Sequence, residues 1–253
     1  MTPPGAGRSA RPPVRALITD VDGTLTDRSR RLDPAAVRAV RGVEDLGIPV
    51  LLATGNVLPI ALALHRSLGL SGPVVAENGG ILYTEGPGGP RVERMADRRV
   101  ALRALRRLRA QGLAVRPLFT DRWRETEVAL EPGVSVRNIR EALRGMPVDV
   151  EATGFAVHLI EKGIGKLSTV EVALRRMGAS VSECAALGDG DNDVRLLEAA
   201  GRSVSFRTGS AAARRAAGYV SHAPYARGFV EGLIHLGLVP RSVRSERSSR
   251  AGR

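Results

Sequence analysis

The sequence predicts an α/β protein built on a doubly wound parallel sheet, with a smaller α+β unit inserted into it. Two observations predict this fold class. Short apolar runs alternate with helical segments in the first and last thirds of the chain, which is typical of the strands and crossover helices of a parallel sheet. The middle third has a different order, αββαββ, in two similar halves.

The first part of the sheet is predicted from the amino-terminal third. Residues 14–20 form a short, mostly apolar and β-prone run, as expected of a strand buried on both faces of a parallel sheet. Asp33-Pro34 then opens a helix that ends at Gly47, since Asp is a favoured N-cap and Pro a favoured first helical residue. The remaining strand, helix and strand of a βαβαβ unit are expected at 48–53, 57–68 and 73–76.

The middle of the chain predicts the inserted unit. Its first helix is expected at about 97–111, where apolar residues recur with helical spacing. Strands are then expected at 113–119 and 126–131, a second helix at 135–144, and strands at 148–152 and 155–160. The Pro/Gly-rich stretch 85–90 and the glycines in 163–165 are predicted hinges at the two junctions.

The last third returns to the alternation of the first. Helices are expected at 167–177, 193–200, 210–217 and 228–237, and strands at 184–187, 204–206 and 219–220. We therefore predict a discontinuous core domain, 14–84 and 162–240, with an inserted domain at 85–161. The remaining segments, 1–13 and 241–253, are predicted to be disordered tails.

The formal net charge of +12 has two explanations. A basic surface attracts phosphate backbones, so a nucleic-acid-binding module is one of them. The other is a protein whose basic positions are almost all arginine, since Lys162 and Lys166 are its only lysines. We favour the second, because roughly half of the charge lies in the predicted tails and aromatic residues, at 3%, are too scarce for base-stacking platforms.

Three features favour a cytoplasmic location. Cys184 is the single cysteine, so no intrachain disulfide can form, which suits a reducing compartment. No apolar run reaches the roughly 20 residues of a membrane helix. The first residues lack the apolar centre of a secretory signal. We expect no membrane partner, and a homodimer stays open.

Two polar segments follow strands of the first part of the sheet, where open α/β sheets bind ligands. The string DVDGT places Asp20 and Asp22 after the first strand, where two carboxylates could bind Mg²⁺ or divide nucleophile and acid/base roles. An Asx-rich turn is the alternative. Thr54-Gly55 offers a hydroxyl and a backbone N–H to phosphate oxygens at a helix start, with simple N-capping as the alternative.

Two further segments lie in the last third. Lys166 is one of two lysines in a chain that otherwise uses arginine, and an ammonium there could hold a phosphoryl group; an exposed surface lysine is the alternative. The string GDGDND, starting at Gly188, packs acidic residues so densely that they repel one another without a cation. An EF-hand is excluded, because the position that requires Glu is Ala200.

Together the motifs DVDGT, ATGN, the isolated Lys166 and GDGDND resemble those of the haloacid dehalogenase superfamily of phosphotransferases. The resemblance covers about residues 14–239. The inserted unit is similar to the type-two cap of the Cof-like sugar phosphatases in that superfamily. The strings GIPVLLATGN and SGPVVAENGG are similar to those of archaeal-type phosphoglycolate phosphatases, which are related to sucrose-phosphate phosphatases.

The resemblance implies a phosphatase that hydrolyses a small phosphorylated metabolite, 2-phosphoglycolate first, through an aspartyl-phosphate. Asp20 would be the nucleophile and Asp22 the acid/base. The implied Mg²⁺ ligands are Asp20, the backbone carbonyl of Asp22, Asp189, and Asp193 directly or through water. The implied phosphate-binding residues are Thr54, Gly55, Asn56, Lys166 and Asn192. A sugar-phosphate phosphatase or a phosphomutase on the same core stays an alternative.

The inserted unit should recognise the leaving group. Arg122 and Arg124 lie between two of its predicted strands, and either guanidinium could pair with a substrate carboxylate, unless the segment is a solvated hairpin turn. Asn78 is expected near the substrate. His158 is expected to pack in a strand rather than bind metal, and Cys184 to be buried and inert.

Overall fold

The structure is a computed structural model, and it describes residues 13–240. Apart from Pro13, the tails predicted from the sequence lie outside these described residues. Eleven strands are present in this part of the chain: β1 (Leu17–Thr19), β2 (Val50–Ala53), β3 (Val74–Ala76), β4 (Ile81–Gly86), β5 (Gly89–Arg94), β6 (Val128–Leu130), β7 (Val148–Ala152), β8 (Val157–Glu161), β9 (Ala185–Leu187), β10 (Arg202–Phe206) and β11 (Tyr219–Ser221). Its eight α-helices are α1 (Pro34–Asp45), α2 (Leu58–Leu68), α3 (Arg98–Ala110), α4 (Val136–Ala142), α5 (Lys166–Arg176), α6 (Val194–Ala199), α7 (Ala211–Ala216) and α8 (Tyr225–Leu236).

Eight strands form one large sheet in the order β11-β10-β9-β1-β2-β3-β4-β5, parallel from β11 to β3. The predicted fold class is confirmed. Thr19 at the end of β1 pairs in register with Leu52 of β2 and Leu187 of β9. The segments that follow β1, β2 and β9 therefore leave the sheet side by side. This edge of the sheet brings polar segments together that are distant in the sequence.

Both faces of the large sheet are covered, as its apolar strands predict. Leu17 packs in a cluster with α1, α2 and α8, while its neighbour Ile18 packs in a second cluster with α5, α6 and α7. Successive residues of one strand thus face opposite cores. The first crossover helix begins as predicted, with the Asp33 side chain accepting a hydrogen bond from the Ala35 N–H.

The stretch 85–90 is not a hinge, so this prediction was wrong. Strands β4 and β5 form an antiparallel hairpin with Pro87 and Gly88 as its two-residue loop, and the hairpin extends the large sheet. Gly89 takes φ +84°, a value that a tight turn requires and that glycine adopts easily. Residues 85–94 therefore pair with the large sheet, although the sequence assigned them to the inserted domain.

The inserted unit has one strand fewer than the predicted αββαββ order. Its sheet is β6-β8-β7, antiparallel, with α3 and α4 packed on an apolar cluster of its own. The predicted strand 113–119 is reduced to an isolated bridge between Pro117 and Leu130. Directly after this bridge the chain turns into a 3₁₀ helix at Phe119–Trp123, so the pairing stops there. The division of the chain into two domains stays a prediction.

The helices of residues 13–240 were also compared with the length and apolarity that a membrane span requires. None of them meets that requirement.

Candidate active site

Three carboxylates converge at the carboxyl edge of the large sheet. Oxygens of Asp20, Asp189 and Asp193 all lie within 4.8 Å of one another. Asp20 follows β1, and Asp189 and Asp193 follow the neighbouring strand β9. The parallel register of β1 and β9 is what brings these parts of the sequence together.

Lys166 is buried inside this acidic cluster. Its ammonium donates hydrogen bonds to Asp20 Oδ1 at 2.7 Å and to Asp193 Oδ1 at 2.6 Å. Burial by itself would lower the pKa of Lys166, but the two carboxylates outweigh burial and hold that pKa above its usual value. The side chain is fully inaccessible to solvent, so the exposed-lysine alternative is wrong.

Close packing fixes the position of Lys166. The start of α5 lies against the 3₁₀ turn Glu77–Gly79, and Thr169 Oγ1 donates to the Gly79 carbonyl at 2.6 Å. A Cβ on Gly79, whose φ is +102°, would overlap the Gly165 backbone. Glycine at this position therefore lets the turn approach α5 closely enough to hold its first residue in the cluster.

The acidic groups are costly to ionise without a cation. Burial raises the pKa of Asp20 well above its usual value, although Lys166 opposes the rise. Burial also raises the pKa of Asp189 to about 7, and the charge of Asp193 adds to this effect. A metal ion would relieve both costs, and carboxylate oxygens suit a hard divalent cation. The residues present thus fit a metal site.

Asp193 also organises the loop that carries Asp189. Its Oδ2 accepts hydrogen bonds from the Asp189 N–H at 3.1 Å and the Gly190 N–H at 2.9 Å, while Oδ1 accepts from Lys166. Both oxygens are therefore engaged with the protein. Asp189 therefore has the freer carboxylate of the two, and it is better placed than Asp193 to bind a cation.

Asp22 lies apart from the three clustered carboxylates. Its Oδ2 accepts a hydrogen bond from Asn56 Nδ2 at 2.6 Å, and its Oδ1 accepts one from Arg30 Nε at 3.2 Å. Directly after Asp22, Gly23 takes φ +79°, and a Cβ there would overlap the Asp189 carboxylate. The DVDGT string thus separates two carboxylates, one facing Lys166 and one facing Asn56 and Arg30.

The predicted phosphate-binding residues lie on the same edge. Thr54 directly follows β2, is buried, and accepts hydrogen bonds at Oγ1 from the Asn56 backbone N–H and side chain. Asn192 Nδ2 donates to Asn78 Oδ1 at 2.9 Å. Thr54, Gly55 and Asn192 line one cleft together with Asp20 and Asp189. The structure therefore brings three of the five predicted residues to the cleft, whereas Lys166 lies beneath it beside Asp20 and Asn56 contacts Asp22.

The cleft has a volume of about 320 Å³. Its floor is the carboxyl edge of the large sheet, and Thr153, Gly154 and Phe155 of the inserted unit line its other side. A larger cavity of about 690 Å³ lies at the opposite edge, beside Val14 and Cys184. It contains none of the clustered carboxylates, so the smaller cleft is the candidate active site.

Arg124 is not available to a substrate, contrary to one of the predictions. It is 3% exposed, forms an ion pair with Glu127, and donates to the Gly55 carbonyl at 3.0 Å. Arg122 is exposed, stacks on Phe119, and lies outside the cleft lining. Neither arginine is therefore placed to pair with a leaving group in the cleft.

Sequence reasoning missed Glu127, which joins the inserted unit to the core. It is fully buried, contacts Arg124 and His158, and accepts a hydrogen bond from Asn78 Nδ2 at 3.1 Å. Burial by itself would raise the pKa of Glu127, but His158 and Arg124 outweigh burial and hold it below its usual value. The one feature of the sequence that could have pointed to Glu127 is its position, as a charged residue directly before the apolar run Val128–Leu130. Through Asn78 this network reaches Asn192 in the cleft.

Glu151 of β7 is a second missed group. Its Oε2 is buried without a hydrogen-bond partner in the described part of the chain. Burial raises the pKa of Glu151 to about 7, with Lys166 opposing the rise and Glu127 adding to it. The folded-state pKa exceeds the ordinary value of 4.5, so ionisation of Glu151 destabilises the fold progressively from pH 4.5 to 7 and fully above it.

Replacing Glu151 by Gln should therefore raise the free energy of unfolding at pH 8 by about 1–3 kcal/mol, because the amide cannot ionise. Near pH 4.5 the gain should almost vanish. Urea unfolding in the presence of a chelator measures both values. Glu131→Gln, at an exposed position after β6, is the matched control and should show no such difference. An equal gain at both pH values would contradict the ionisation argument.

The sequence matches the model of the haloacid dehalogenase-like hydrolase family over residues 17–111 and 138–233. The phosphoglycolate phosphatase of Methanothermobacter thermautotrophicus is 39% identical over 218 residues, which are 86% of this chain and 96% of that protein. The phosphoglycolate phosphatase of Methanospirillum hungatei is 35% identical over 222 residues, covering 86% of this chain and 94% of that protein.

Solved structures are similar over nearly the whole chain. A Thermoplasma acidophilum protein superimposes with a TM-score of 0.81 at 26% identity, covering 90% of this chain and 100% of that one. A sugar phosphatase of haloacid dehalogenase subclass IIB superimposes with a TM-score of 0.73, covering 89% and 100%. At 18% identity the second likeness concerns the fold alone.

Proposed function

This chain belongs to the haloacid dehalogenase-like hydrolase family, and from that membership we propose that it is a phosphatase which hydrolyses 2-phosphoglycolate to glycolate and phosphate. One observation carries the proposal: Lys166 bridges Asp20 and Asp193 beside Asp189, and of these residues Asp20 and Asp189 line an open cleft. A buried ammonium among carboxylates offers a nucleophile and a fixed cation to one phosphoryl group. The names of the curated relatives support the choice of substrate.

We assign the nucleophile to Asp20. Its carboxylate attacks phosphorus, the bond from phosphorus to the ester oxygen breaks, and an aspartyl-phosphate forms. Lys166 offsets the repulsion between the carboxylate and the phosphate dianion. The non-bridging oxygens of the phosphoryl group are bound by Thr54 Oγ1, the Gly55 N–H and Asn192. Mg²⁺ held by Asp20, Asp189 and the Asp22 carbonyl would neutralise the charge shared by carboxylates and phosphate, with Asp193 supporting the loop.

Asp22 is assigned to proton transfer. It gives its proton to the leaving ester oxygen, and its carboxylate then takes a proton from the water that attacks the aspartyl-phosphate. Phosphate is released and the Asp20 carboxylate is restored. Asn56 and Arg30 support this role, because they hold one oxygen each of Asp22 at the cleft wall, clear of the Lys166 cluster. A cytoplasmic location, a homodimer and the stated site roles stay predictions.

Phosphate release by the purified protein tests the proposal. After chelator treatment the protein should release little phosphate, and Mg²⁺ should restore release. The kcat/KM for 2-phosphoglycolate should exceed that for glucose 6-phosphate and sucrose 6-phosphate at least about tenfold. Faster hydrolysis of the sugar esters would make it a sugar phosphatase, and phosphoryl transfer to a sugar without net phosphate release would make it a mutase. Release from no ester in Mg²⁺ would refute the phosphatase itself.

A further inference from the structure

The cleft has a basic end as well as an acidic one. Arg28 and Arg30 line it together with Asp22, the acid that Arg30 contacts, whereas Lys166 contacts Asp20. Both arginines belong to the large-sheet part of the chain, in the turn between the DVDGT string and α1. The leaving group of a substrate whose phosphate faces Asp20 would point toward this end, because Asp22 must contact the ester oxygen.

The turn that carries Arg30 is strained and is closed by hydrogen bonds. Arg30 has φ +61°, a left-handed value that is uncommon for a residue with a side chain. Asp27 holds the turn closed, since its Oδ1 accepts hydrogen bonds from the Ser29 N–H at 2.7 Å and the Arg31 N–H at 3.0 Å. Strain of this kind persists where the surrounding contacts impose it, and it is concentrated at functional sites.

The guanidinium of Arg30 is held in place but still has hydrogen-bond donors to offer. Its Nε donates to Asp22 Oδ1, and its Cζ lies 4.7 Å from the centre of the Phe155 ring, which belongs to the inserted unit. The side chain is 54% exposed, and its two terminal nitrogens have no hydrogen-bond partner among residues 13–240. The two terminal nitrogens of a planar guanidinium form a fork that can donate two parallel hydrogen bonds to one carboxylate, and this fork is free in Arg30.

We propose that Arg30 binds the carboxylate of the leaving group, so that this cleft selects phosphomonoesters of short 2-hydroxy acids. This rests on the proposed phosphatase function. In such an ester one carbon separates the ester oxygen from the carboxylate carbon, so an ester oxygen at Asp22 places the carboxylate beside Asp22. The free fork of Arg30 lies there. Phe155 fixes the guanidinium plane and closes the cleft above it.

A matched pair of substrates tests this assignment. Ethyl phosphate has a methyl group where 2-phosphoglycolate has the carboxylate, and the two are otherwise alike. In Arg30→Ala the ratio of kcat/KM for 2-phosphoglycolate to that for ethyl phosphate should fall about 10- to 100-fold, chiefly through KM for the anionic ester. Arg30→Lys keeps the charge without the fork and should give an intermediate ratio. Arg122→Ala, outside the cleft, should leave the ratio unchanged.

The outcomes separate this proposal from the one on which it rests. If wild-type protein hydrolyses the esters but Arg30→Ala and Arg30→Lys lower both substrates equally, Arg30 positions Asp22 alone and its role in carboxylate binding is overturned. If wild-type protein hydrolyses neither ester in Mg²⁺, the phosphatase function fails and this assignment falls with it. A selective loss for 2-phosphoglycolate in both variants supports it.

Discussion

Asp20→Asn should lower kcat by at least about 10⁴-fold while the fold survives. The amide keeps the size of the side chain but cannot act as a nucleophile toward phosphorus. Burial already raises the pKa of the Asp20 carboxyl, so a neutral group of the same shape is tolerated there. Lys166 keeps its contact with Asp193. The free energy of unfolding in chelator should therefore change by no more than about 1–2 kcal/mol.

Phosphate release from 2-phosphoglycolate in Mg²⁺ and urea unfolding in chelator measure the two parts of this expectation. Asp191→Asn is the matched control, because Asp191 is exposed two residues from Asp189 and outside the cleft lining. It makes the same change of charge in the same acidic segment and should keep turnover near the wild-type rate. Asp20→Asn protein with more than a tenth of the wild-type kcat would rule out the covalent route.

The convergence of the site could be predicted from the sequence because it follows from sheet topology. Residues that come within two positions of the ends of neighbouring parallel strands must meet at one edge, whatever the loops do. Asp20, Thr54 and Asp189 are of this kind, and their motifs marked the strand ends. Lys166 begins a helix, and its rarity in an arginine-rich chain singled it out. Its burial between two carboxylates required the structure.

The arginine near the leaving group could not be chosen from the sequence. Arg124 and Arg30 both lie in polar segments near glycine or acidic residues, and their difference is one of partners. Glu127 occupies Arg124 inside the protein, whereas Asp22 and Phe155 hold Arg30 at the cleft and leave its fork free. Phe155 lies 125 residues from Arg30, and Glu127 is held inside the protein by the distant Asn78 and His158, so no local pattern reports the difference.

The misread hinge has a similar cause. A Pro/Gly-rich stretch permits both a flexible junction and a tight hairpin turn, since the conformational freedom of glycine serves either. The choice between the two depends on whether the flanking residues can pair with the edge of a sheet. Here Ile81 pairs with Ala76 of β3, and the hairpin follows. The lost strand at 113–119 is the opposite case, where the chain turns into the 3₁₀ helix Phe119–Trp123 after a single bridge.

Lys166→Met should abolish turnover and also lower the free energy of unfolding by about 3–5 kcal/mol at pH 8 in chelator. Methionine fills a similar volume but leaves the Asp20 and Asp193 carboxylates buried close together without their cation. Burial already raises the pKa of Asp20, and the loss of its cation would raise that pKa further, so the destabilisation is present at high pH and recedes as pH falls through the raised value. Urea unfolding at pH 5 and pH 8 measures this difference.

The chain offers a matched control and a second-site test. Lys162 is its other lysine and is exposed, so Lys162→Met should change neither turnover nor stability measurably. Adding Asp193→Asn to Lys166→Met removes one of the two stranded charges. It should restore more than about 1 kcal/mol of stability at pH 8, whereas Asp193→Asn alone should destabilise, and this difference is the coupling between the two side chains. Turnover should stay lost in the double variant, because the cation that offsets repulsion at the phosphoryl group is still missing. Additive effects on stability, or a Lys166→Met enzyme with wild-type kcat, would show that the ammonium does not hold this site together.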